Sequence, residues 1–535
     1  MKKNLLFFLL FVSSCLSAQV ELVWSEYLKP LDYGKYIIGA KNGHLYSVNV
    51  ENDIVYLVSY SEEDMKPETY KELVVGKGAK IGGKAKKYTR EDIDNRKKDK
   101  KNRDYNYERF YIIKDKVFII YYTKEKKIKT YYAQTYDLEG SPVDAVRELE
   151  QFEERRWSTS HYFGLSQDSS MIYMFRQPKA DKDDNDKFIV KIWDTNLETL
   201  NNVEIEMPYE NRNADMYDYY LTSDKKLVAL YKIYIPKKER QKDDPEVLVK
   251  AMNIDIADGS VKDFEMNLKD VFIRDLNLRF DEDQNAYCVG TFSKAKRRAN
   301  ADGTFFYKLD YKTGEISAEH SQEFSTEIIH KMNNSESKKK RNQDLRANID
   351  LRQVIAKPDG GSYVLFEENY IVVVTTRSSN GATSTTYYYY DNDILIMNVS
   401  PEGEIIWQNV IPKKQVSTND GGAYNSFYAT QYNNNLYIFY NEDYTNYKEG
   451  KYEYMCNPTM AKSSIPVMVT MTEDGTYETT GIITYDKKRD YIMSFRDADR
   501  MGKNKAIVYA RHTKKACCSA KAMSSEYRIG RMTIE

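Results

Sequence analysis

Short apolar segments with alternating polar positions recur along the whole chain, mostly in pairs joined by a tight turn. In the stretch Leu351–Trp407, QVIAKPDGGSYVLFEE is one such pair and DILIMNVSPEGEIIW is the next. Alternation with a period of two is typical of β-strands, and Asn, Asp and Gly favour the turns between them. The pattern predicts an all-β protein built from one repeated strand-turn-strand unit.

The predicted turns fall into two alternating sets, which we call inner and outer hairpins after their expected distance from a common axis. The eight inner hairpins turn near Asn42, Asp115, Asp168, Asp224, Asp283, Asp359, Asn434 and Lys503. The seven outer hairpins turn near Glu63, Glu139, Asn196, Asp258, Thr313, Glu402 and Asp474. One inner and one outer hairpin give four strands, the repeating unit of a propeller blade. The sequence therefore predicts a single β-propeller of eight blades, with seven as the alternative if the unit at Asn42 or Asp283 is irregular.

The eighth blade lacks an outer hairpin, because only one more strand, Tyr527–Thr533, follows its inner one. The segment Val20–Lys29 (VELVWSEYLK) resembles the outer strand Glu404–Lys413 (EIIWQNVIPK) in the positions of its apolar residues and Trp. We expect this N-terminal strand to complete the final blade, since closure removes open sheet edges. Two unrelated edge strands in a two-domain protein are the alternative. The predicted organisation is a signal peptide, residues 1–18, followed by one propeller, residues 19–535.

Two of the repeats resemble those of known propeller families. Asp393–Val410 (DILIMNVSPEGEIIWQNV) resembles the outer-strand repeat of secreted bacterial propellers, and Phe306–Ile316 (FYKLDYKTGEI) is similar to the repeat of quinoprotein-like propellers. As a whole the chain most resembles envelope propellers of Bacteroidota-type bacteria. The resemblance implies the fold alone, because most units lack the Trp docking pattern of quinoprotein dehydrogenases, and the WD and kelch patterns are missing.

Nine long connections interrupt the repeat, and all of them join either the second strand to the third or the fourth strand to the next blade. They are Gly76–Arg109, Arg176–Lys187, Pro236–Glu246, Ser293–Gly303, Ser325–Asn348, Glu368–Asn392, Pro412–Tyr424, Asn441–Pro466 and His512–Glu526. In a propeller these two kinds of connection lie on the same face. Long loops in compact domains are usually functional or disordered, so this face is the predicted recognition surface.

One of these connections, Tyr370–Tyr390, reads as a projecting hairpin. It consists of YIVVVTT, a turn of Ser, Ser, Asn, Gly and Ala, and then STTYYYY. Consecutive tyrosines in a strand place side chains on both faces. Tyr370, Tyr387, Tyr388, Tyr389 and Tyr390 are the candidate binding residues, and packing on a neighbouring loop is the alternative role for them.

The composition argues against several function classes. The 80 basic and 81 acidic side chains nearly cancel, so no overall field favours nucleic acid. None of the five His has a second His at metal-binding spacing, and no GxSxG elbow or P-loop is present. The segment Asp181–Asp186 is acidic enough for calcium but lacks the Gly and distal Glu of an EF-hand loop. We predict no catalytic residue, no metal and no cofactor; calcium at the acidic segment, or a soft metal held by His512, Cys517 and Cys518, is the alternative.

The first residues predict export. Lys2 and Lys3 precede an apolar run of eight residues, which is too short to span a bilayer, and small residues follow. Cleavage after Ala18 would give a soluble protein. Alternatively, residues 12–15 resemble a lipobox, in which case Cys15 would be acylated and become the mature N-terminus. Because the chain ends on a predicted core strand and not on a sorting domain, we expect a periplasmic or outer-membrane-associated protein.

The remaining cysteines suggest one covalent link. Cys288 lies in the middle of a predicted strand and is expected to be a buried thiol. Cys456 falls in a long connection of the seventh unit, and Cys517 and Cys518 fall in a long connection of the eighth. Adjacent blades bring these connections together, which makes a disulfide between Cys456 and either Cys517 or Cys518 plausible.

Two function classes remain open after this survey. The first is a non-catalytic envelope scaffold that presents its looped face to a protein partner. The second is a carbohydrate-binding or carbohydrate-active propeller, whose paired carboxylates would leave no trace in sequence because the pairing is spatial. The scaffold is the prediction, and the carbohydrate-active protein is its alternative.

Overall fold

The computed structural model describes residues 19–28, 37–51, 53–94, 105–153, 161–178, 181, 183–240, 247–264, 266, 271–281, 283–294, 300–332, 345–346, 348–379, 381–513 and 523–535. Strands account for 63% of these residues and helices for 4%, which confirms the all-β prediction. Three short helices lie in the connections: α1 (Arg90–Asp94), α2 (Thr326–Met332) and α3 (Tyr444–Glu449). Within the described part of the chain, no helix is long and apolar enough to cross a membrane.

The strand β1 (Val20–Trp24) comes first, and four antiparallel sheets follow it. The first sheet consists of β2 (Ile37–Lys41), β3 (His44–Glu51), β4 (Ile54–Ser61), β5 (Pro67–Leu73) and β6 (Lys87–Tyr88). The second consists of β7 (Asn106–Ile113), β8 (Lys116–Glu125), β9 (Ile128–Asp137) and β10 (Arg147–Glu153). The third consists of β11 (His161–Leu165), β12 (Met171–Arg176), β13 (Asn185–Asp194) and β14 (Thr199–Glu210). The fourth consists of β15 (Ala214–Leu221), β16 (Lys226–Tyr234), β17 (Val247–Asp255) and β18 (Val261–Asp263).

Four further antiparallel sheets, together with one short two-stranded pair, complete the described structure. The fifth sheet consists of β19 (Phe272–Phe280), β20 (Ala286–Ser293), β22 (Gly303–Asp310) and β23 (Glu315–Glu323), and the short pair is β21 (Asn300–Ala301) with β24 (Leu345–Arg346). The sixth consists of β25 (Ile349–Ala356), β26 (Ser362–Arg377), β27 (Thr383–Val399) and β28 (Ile405–Ile411), with β29 (Val416–Thr418) paired to β27. The seventh consists of β30 (Phe427–Tyr432), β31 (Asn435–Asp443), β32 (Ser464–Met471) and β33 (Tyr477–Gly481). The eighth consists of β34 (Tyr491–Arg500), β35 (Lys505–Thr513), β36 (Met523–Ile534) and β1.

The predicted hairpins are present, since each of the fifteen turns inferred from the sequence separates two antiparallel neighbours. Their residues explain why the chain reverses there. Asn42 has a φ of 52° and Asn434 a φ of 63°, and this left-handed region suits Asn better than most residues. Gly360, with a φ of 90°, occupies a conformation that a side chain would strain.

The N-terminal strand pairs with the last strand of the chain, as the sequence predicts. Val20 lies opposite Ile534 and Trp24 lies opposite Gly530 in an antiparallel register. A side chain at Gly530 would have no room, because a Cβ there would lie 2.6 Å from the Trp24 ring. The Trp24 indole therefore covers the space that the glycine leaves, and the Arg528 guanidinium packs 4.9 Å from the centre of the same ring.

The sheets pack through apolar clusters on both of their faces. Eight clusters of buried hydrophobic residues occur in the described structure, and seven of them join sheets that follow each other along the chain. The eighth joins the last sheet to the first, because Ile507 and Ile529 pack in one cluster with Leu45 and Tyr56. Each of the eight larger sheets of the described structure thus shares an apolar cluster with two others.

The packing of Trp24 on Gly530 predicts a specific energetic coupling. Gly530→Ala should destabilise the wild-type protein by about 2 kcal/mol, because the new methyl group displaces the indole. In a Trp24→Ala background the same change should cost almost nothing, since the space is then free. Denaturant unfolding of the four variants measures the coupling, and an equal penalty in both backgrounds would contradict the pairing of β1 with β36.

Candidate interaction surface

The long connections lie where the sequence places them. Those within the sheets join the second strand to the third, and those between sheets join a fourth strand to the next first strand. In an antiparallel sheet both kinds leave from the same end. Two of them are directly bonded: the Cys456 N–H donates to Lys414 O over 2.8 Å, and the Val416 N–H donates to Cys456 O over 2.9 Å.

One of these connections forms a two-stranded projection, residues 369–391, which we call the arm. It is a continuation of β26 and β27, whose pairing runs without interruption from Tyr370 opposite Tyr390 to Arg377 opposite Thr383. The predicted hairpin is therefore confirmed. Neither of the neighbouring strands follows it to the tip, because β25 pairs with β26 only as far as Glu368 and β28 pairs with β27 only as far as Ile394.

The arm exposes apolar side chains on both of its faces. Its exposed large apolar residues are Ile371 (58% exposed), Val373 (54%), Tyr387 (44%), Val372 (40%) and Val374 (40%). Successive residues of a strand point to opposite faces, so these side chains do not form one shielded side. Contiguous exposed apolar surface of this kind marks interaction sites in soluble proteins.

The predicted binding residues are brought together on the arm but differ in exposure. Tyr370 and Tyr390 stack at its base with ring centres 4.6 Å apart. Tyr388, Tyr389 and Tyr390 are half-buried and pair with β29, which leaves Tyr387 as the exposed member of the four consecutive tyrosines. The packing considered from the sequence is therefore present for Tyr370, Tyr388, Tyr389 and Tyr390, and the binding role of these tyrosines stays a prediction.

A buried ionic network holds the base of the arm. The Lys413 ammonium and the Glu367 carboxylate are both fully buried and lie 2.8 Å apart. Lys413 Nζ also donates to Asp391 O over 2.6 Å and to Gln415 Oε1 over 2.9 Å, so each of its three protons has an acceptor. Arg352 bridges the two carboxylates, with Nε 2.7 Å from Glu367 Oε2 and an Nη 3.0 Å from Asp391 Oδ1.

The charges of this network are mutually compensated. Burial alone would raise the pKa of Glu367, but the positive charges of Lys413 and Arg352 outweigh burial and hold that pKa below its usual value. The pKa of Asp391 is raised, first by burial and then by the negative charge of Glu367. Ser426 Oγ donates to Glu367 Oε2 over 2.6 Å, which fastens the network to the seventh sheet. The sequence analysis missed this network, since its members are spread over 75 positions and look like ordinary surface charges.

Two further carboxyl groups are buried beside the arm. Burial raises the pKa of Asp393 to about 7 and that of Glu442 to about 7. Asp393 Oδ1 accepts a hydrogen bond from the Lys413 backbone N–H over 2.9 Å. Glu442 Oε1 accepts one from Asn446 Nδ2 over 2.9 Å. Asp393 follows the arm directly on β27, whereas Glu442 lies on β31 of the seventh sheet.

Acidic side chains also occur on the first strands of neighbouring sheets. Burial raises the pKa of Asp218, Asp275 and Asp350. The negative charge of Asp275 contributes to the raised pKa of Asp350, so carboxylates from β19 and β25 influence one another. Among the described residues, no group of three or more His, Cys, Asp or Glu is arranged to hold a metal ion.

The cysteine predictions have separate outcomes. Cys288 is a buried free thiol, as expected. Cys456 is fully buried, and burial raises the pKa of its thiol. Cys517 and Cys518 lie outside the described residues, so the disulfide stays a prediction. Cys15 and the predicted signal peptide also lie outside them.

Comparison with known proteins finds similarity in fold. The structure of the Dos1 propeller is 9% identical, with 96% of this chain and 95% of that chain covered and a TM-score of 0.39. The β-propeller domain of the Trilobed protease from Pyrococcus furiosus is 10% identical, with 85% and 98% covered and a TM-score of 0.31. Prolyl oligopeptidase B from Galerina marginata is 8% identical, with 76% of this chain and 55% of that chain covered and a TM-score of 0.28. No family model matches the chain, and no curated protein matches it in sequence. The chain is an all-β protein whose structural neighbours include β-propellers.

The raised pKa of Asp393 predicts a pH dependence of stability. The native state holds a proton on this group up to about pH 7, whereas the unfolded chain releases it near pH 4, so its contribution to stability is lost as the pH rises between these values. Asp393→Asn should therefore match the wild type at about pH 4 and exceed it by about 4 kcal/mol at about pH 8. Thermal or denaturant unfolding at both pH values tests this. A constant difference between the two proteins would show that Asp393 does not titrate in this range.

Proposed function

We propose that this protein is a non-catalytic scaffold of the bacterial cell envelope that binds a protein partner through its looped side. The proposal includes a single eight-bladed propeller closed by β1, which is supported by the cluster that joins the eighth sheet to the first. It also includes export by residues 1–18, with residence in the periplasm or attachment to the outer membrane through an acylated Cys15.

The arm is the observation that carries this proposal. An exposed run of four aliphatic residues, Ile371 to Val374, is costly to maintain in water unless it is covered by something else. At the same time the buried network of Glu367, Lys413 and Arg352 fixes the direction in which the arm projects. A preorganised element loses little conformational freedom when a partner binds, so more of its contact energy appears as affinity.

Ile371→Lys should weaken partner binding without affecting the fold. The side chain is 58% exposed, so lysine is tolerated there, but its charge opposes burial at an interface. Ile406→Lys is the matched control, because Ile406 is 57% exposed on β28 and lies outside the arm. Partners captured from a native envelope extract by tagged wild type should be reduced about tenfold with the arm variant and unchanged with the control. Equal recovery with all three proteins would refute the role of the arm.

A carbohydrate-active protein is the second candidate, and the acidic side chains of β19 and β25 favour it. Glycoside hydrolysis uses two carboxyl groups, one of which has a raised pKa and acts as the acid. Burial raises the pKa of both Asp275 and Asp350, so either group suits the role of the acid in such a pair.

The two candidates give opposite results with a panel of glycans. The scaffold predicts no turnover by the wild-type protein. If the carbohydrate-active alternative holds, turnover occurs and Asp350→Asn lowers kcat by at least about a hundredfold. Ile371→Lys, which lies on β26 beyond the last residue that pairs with β25, would leave that turnover intact.

A further inference from the structure

The edge of the arm formed by β27 is covered from Tyr387 to Tyr390, whereas the edge formed by β26 is open. On the side of β27, the strand β29 pairs with Tyr388, Tyr389 and Tyr390, and Asn419 continues along Tyr387. On the side of β26, the pairing with β25 ends opposite Glu368. From Ile371 to Thr376, no strand among the described residues lies against this second edge.

The backbone groups that face the open edge follow from the hydrogen bonds at the covered one. The Tyr387 N–H donates to Asn419 Oδ1 over 2.9 Å, and Tyr387 O accepts from the Asn419 N–H over 3.0 Å. The backbone N–H and C=O of Tyr387 therefore point away from β26. Val373 lies directly opposite Tyr387, so its own N–H and C=O point away from β27, towards the open edge. Because this orientation alternates along a strand, Ile371 and Thr375 also present both groups to the open edge.

This edge has none of the features that usually prevent strands from pairing between molecules. Natural edge strands are protected by Pro, by charged side chains or by bulges. The segment from Tyr370 to Tyr390 contains no Pro, and Arg377 is its one charged residue. Its pairing also contains no bulge, since the register shift between Glu367 and Asn369 lies at the base.

We propose that the open edge of β26 pairs with the same edge of a second copy of this chain, antiparallel and about a two-fold axis at Val373. This inference rests on the proposed function, in which the arm binds a protein partner, and it identifies that partner as a second copy of the chain. In this register Val373 lies opposite Val373 and Ile371 lies opposite Thr375, so every outward N–H and C=O of these residues finds an acceptor or a donor.

The charge and shape of the arm favour a second copy in this register. The single charge of the segment, Arg377, lies at the end of the paired region, next to Asn369 of the other copy, and meets no like charge there. Pairing stops at this point because the Asn369 N–H is already bonded to Asn348 O over 2.8 Å. The antiparallel direction places the two protein bodies at opposite ends of the paired arms. The interface is confined to the arms and is therefore small, so the dimer is expected to form reversibly with concentration.

The register makes sharp predictions for disulfide cross-linking. Val373→Cys should cross-link to itself, because directly opposite residues lie about 5.5 Å apart at Cα, within reach of a disulfide. Ile371→Cys should cross-link with Thr375→Cys when the two variants are mixed, and neither should do so alone. The wild-type protein under the same oxidation controls for its native cysteines.

Val373→Pro separates dimerisation from folding. The N–H of Val373 is not bonded within the hairpin, so proline should leave the arm intact while it removes a donor at the two-fold axis. Sedimentation over a wide concentration range should show a monomer–dimer equilibrium for the wild type and a monomer for this variant. Ile406→Lys should sediment as the wild type does.

Three results would overturn the proposal. A wild-type protein that stays monomeric at every concentration excludes the second copy, and partner capture that still depends on Ile371 would then leave the proposed function standing. In that monomer, slow hydrogen exchange at Ile371 and Val373 would assign the edge to another segment of the same chain. A dimer that persists in Val373→Pro and lacks the Val373→Cys cross-link would place the contact elsewhere.

Discussion

Each sheet of this protein is apolar on both faces, and this two-sided burial is the constraint on which the rest of the structure depends. A row of such sheets would leave one apolar face in water at either end, at a cost of roughly 25 cal/mol for each Å² exposed. The cluster formed by the eighth and first sheets removes both ends at once. A body packed in this way resists deformation, so variation in the chain is confined to the connections that leave its surface.

The ionic network at the base of the arm illustrates a different use of burial. Removing Lys413 and Glu367 from water is expensive, and well-packed apolar residues could fill the same space with equal or better stability. Apolar contacts, however, have little directional preference. The hydrogen bonds of Lys413 to three separate acceptors specify one orientation of the strands that carry them, which an extended two-stranded element needs if it is to project from a sheet.

The strands could be predicted from the sequence, but the buried ionic network could not, because the two depend on contacts of different range. Hairpins are local: the alternating residues and a turn residue such as Asn42 or Gly360 lie within a few positions of one another, so the sequence alone is enough to predict them. The pairing of β1 with β36 could also be predicted, because the last repeat lacks its outer strand and the N-terminal segment resembles one. Glu367, Lys413 and Arg352 carry no comparable signal, since a charged residue is usually exposed and only the fold brings these three together. The interacting carboxylates of Asp275 and Asp350 escaped prediction for the same reason.

The pairing of β1 with β36 also bears on the order in which the protein folds. The hydrogen bond from the Ile529 N–H to Ser25 Oγ joins residues 504 positions apart. Contacts of this separation form late, because the intervening chain must be ordered before the loss of entropy is repaid. Seven sheets can assemble from neighbouring segments, whereas β1, which is made first, must wait for the last three strands, β34, β35 and β36, before its sheet can form. Until the last three strands are made, the growing protein carries two uncovered apolar faces, and this interval is when it is most prone to aggregate.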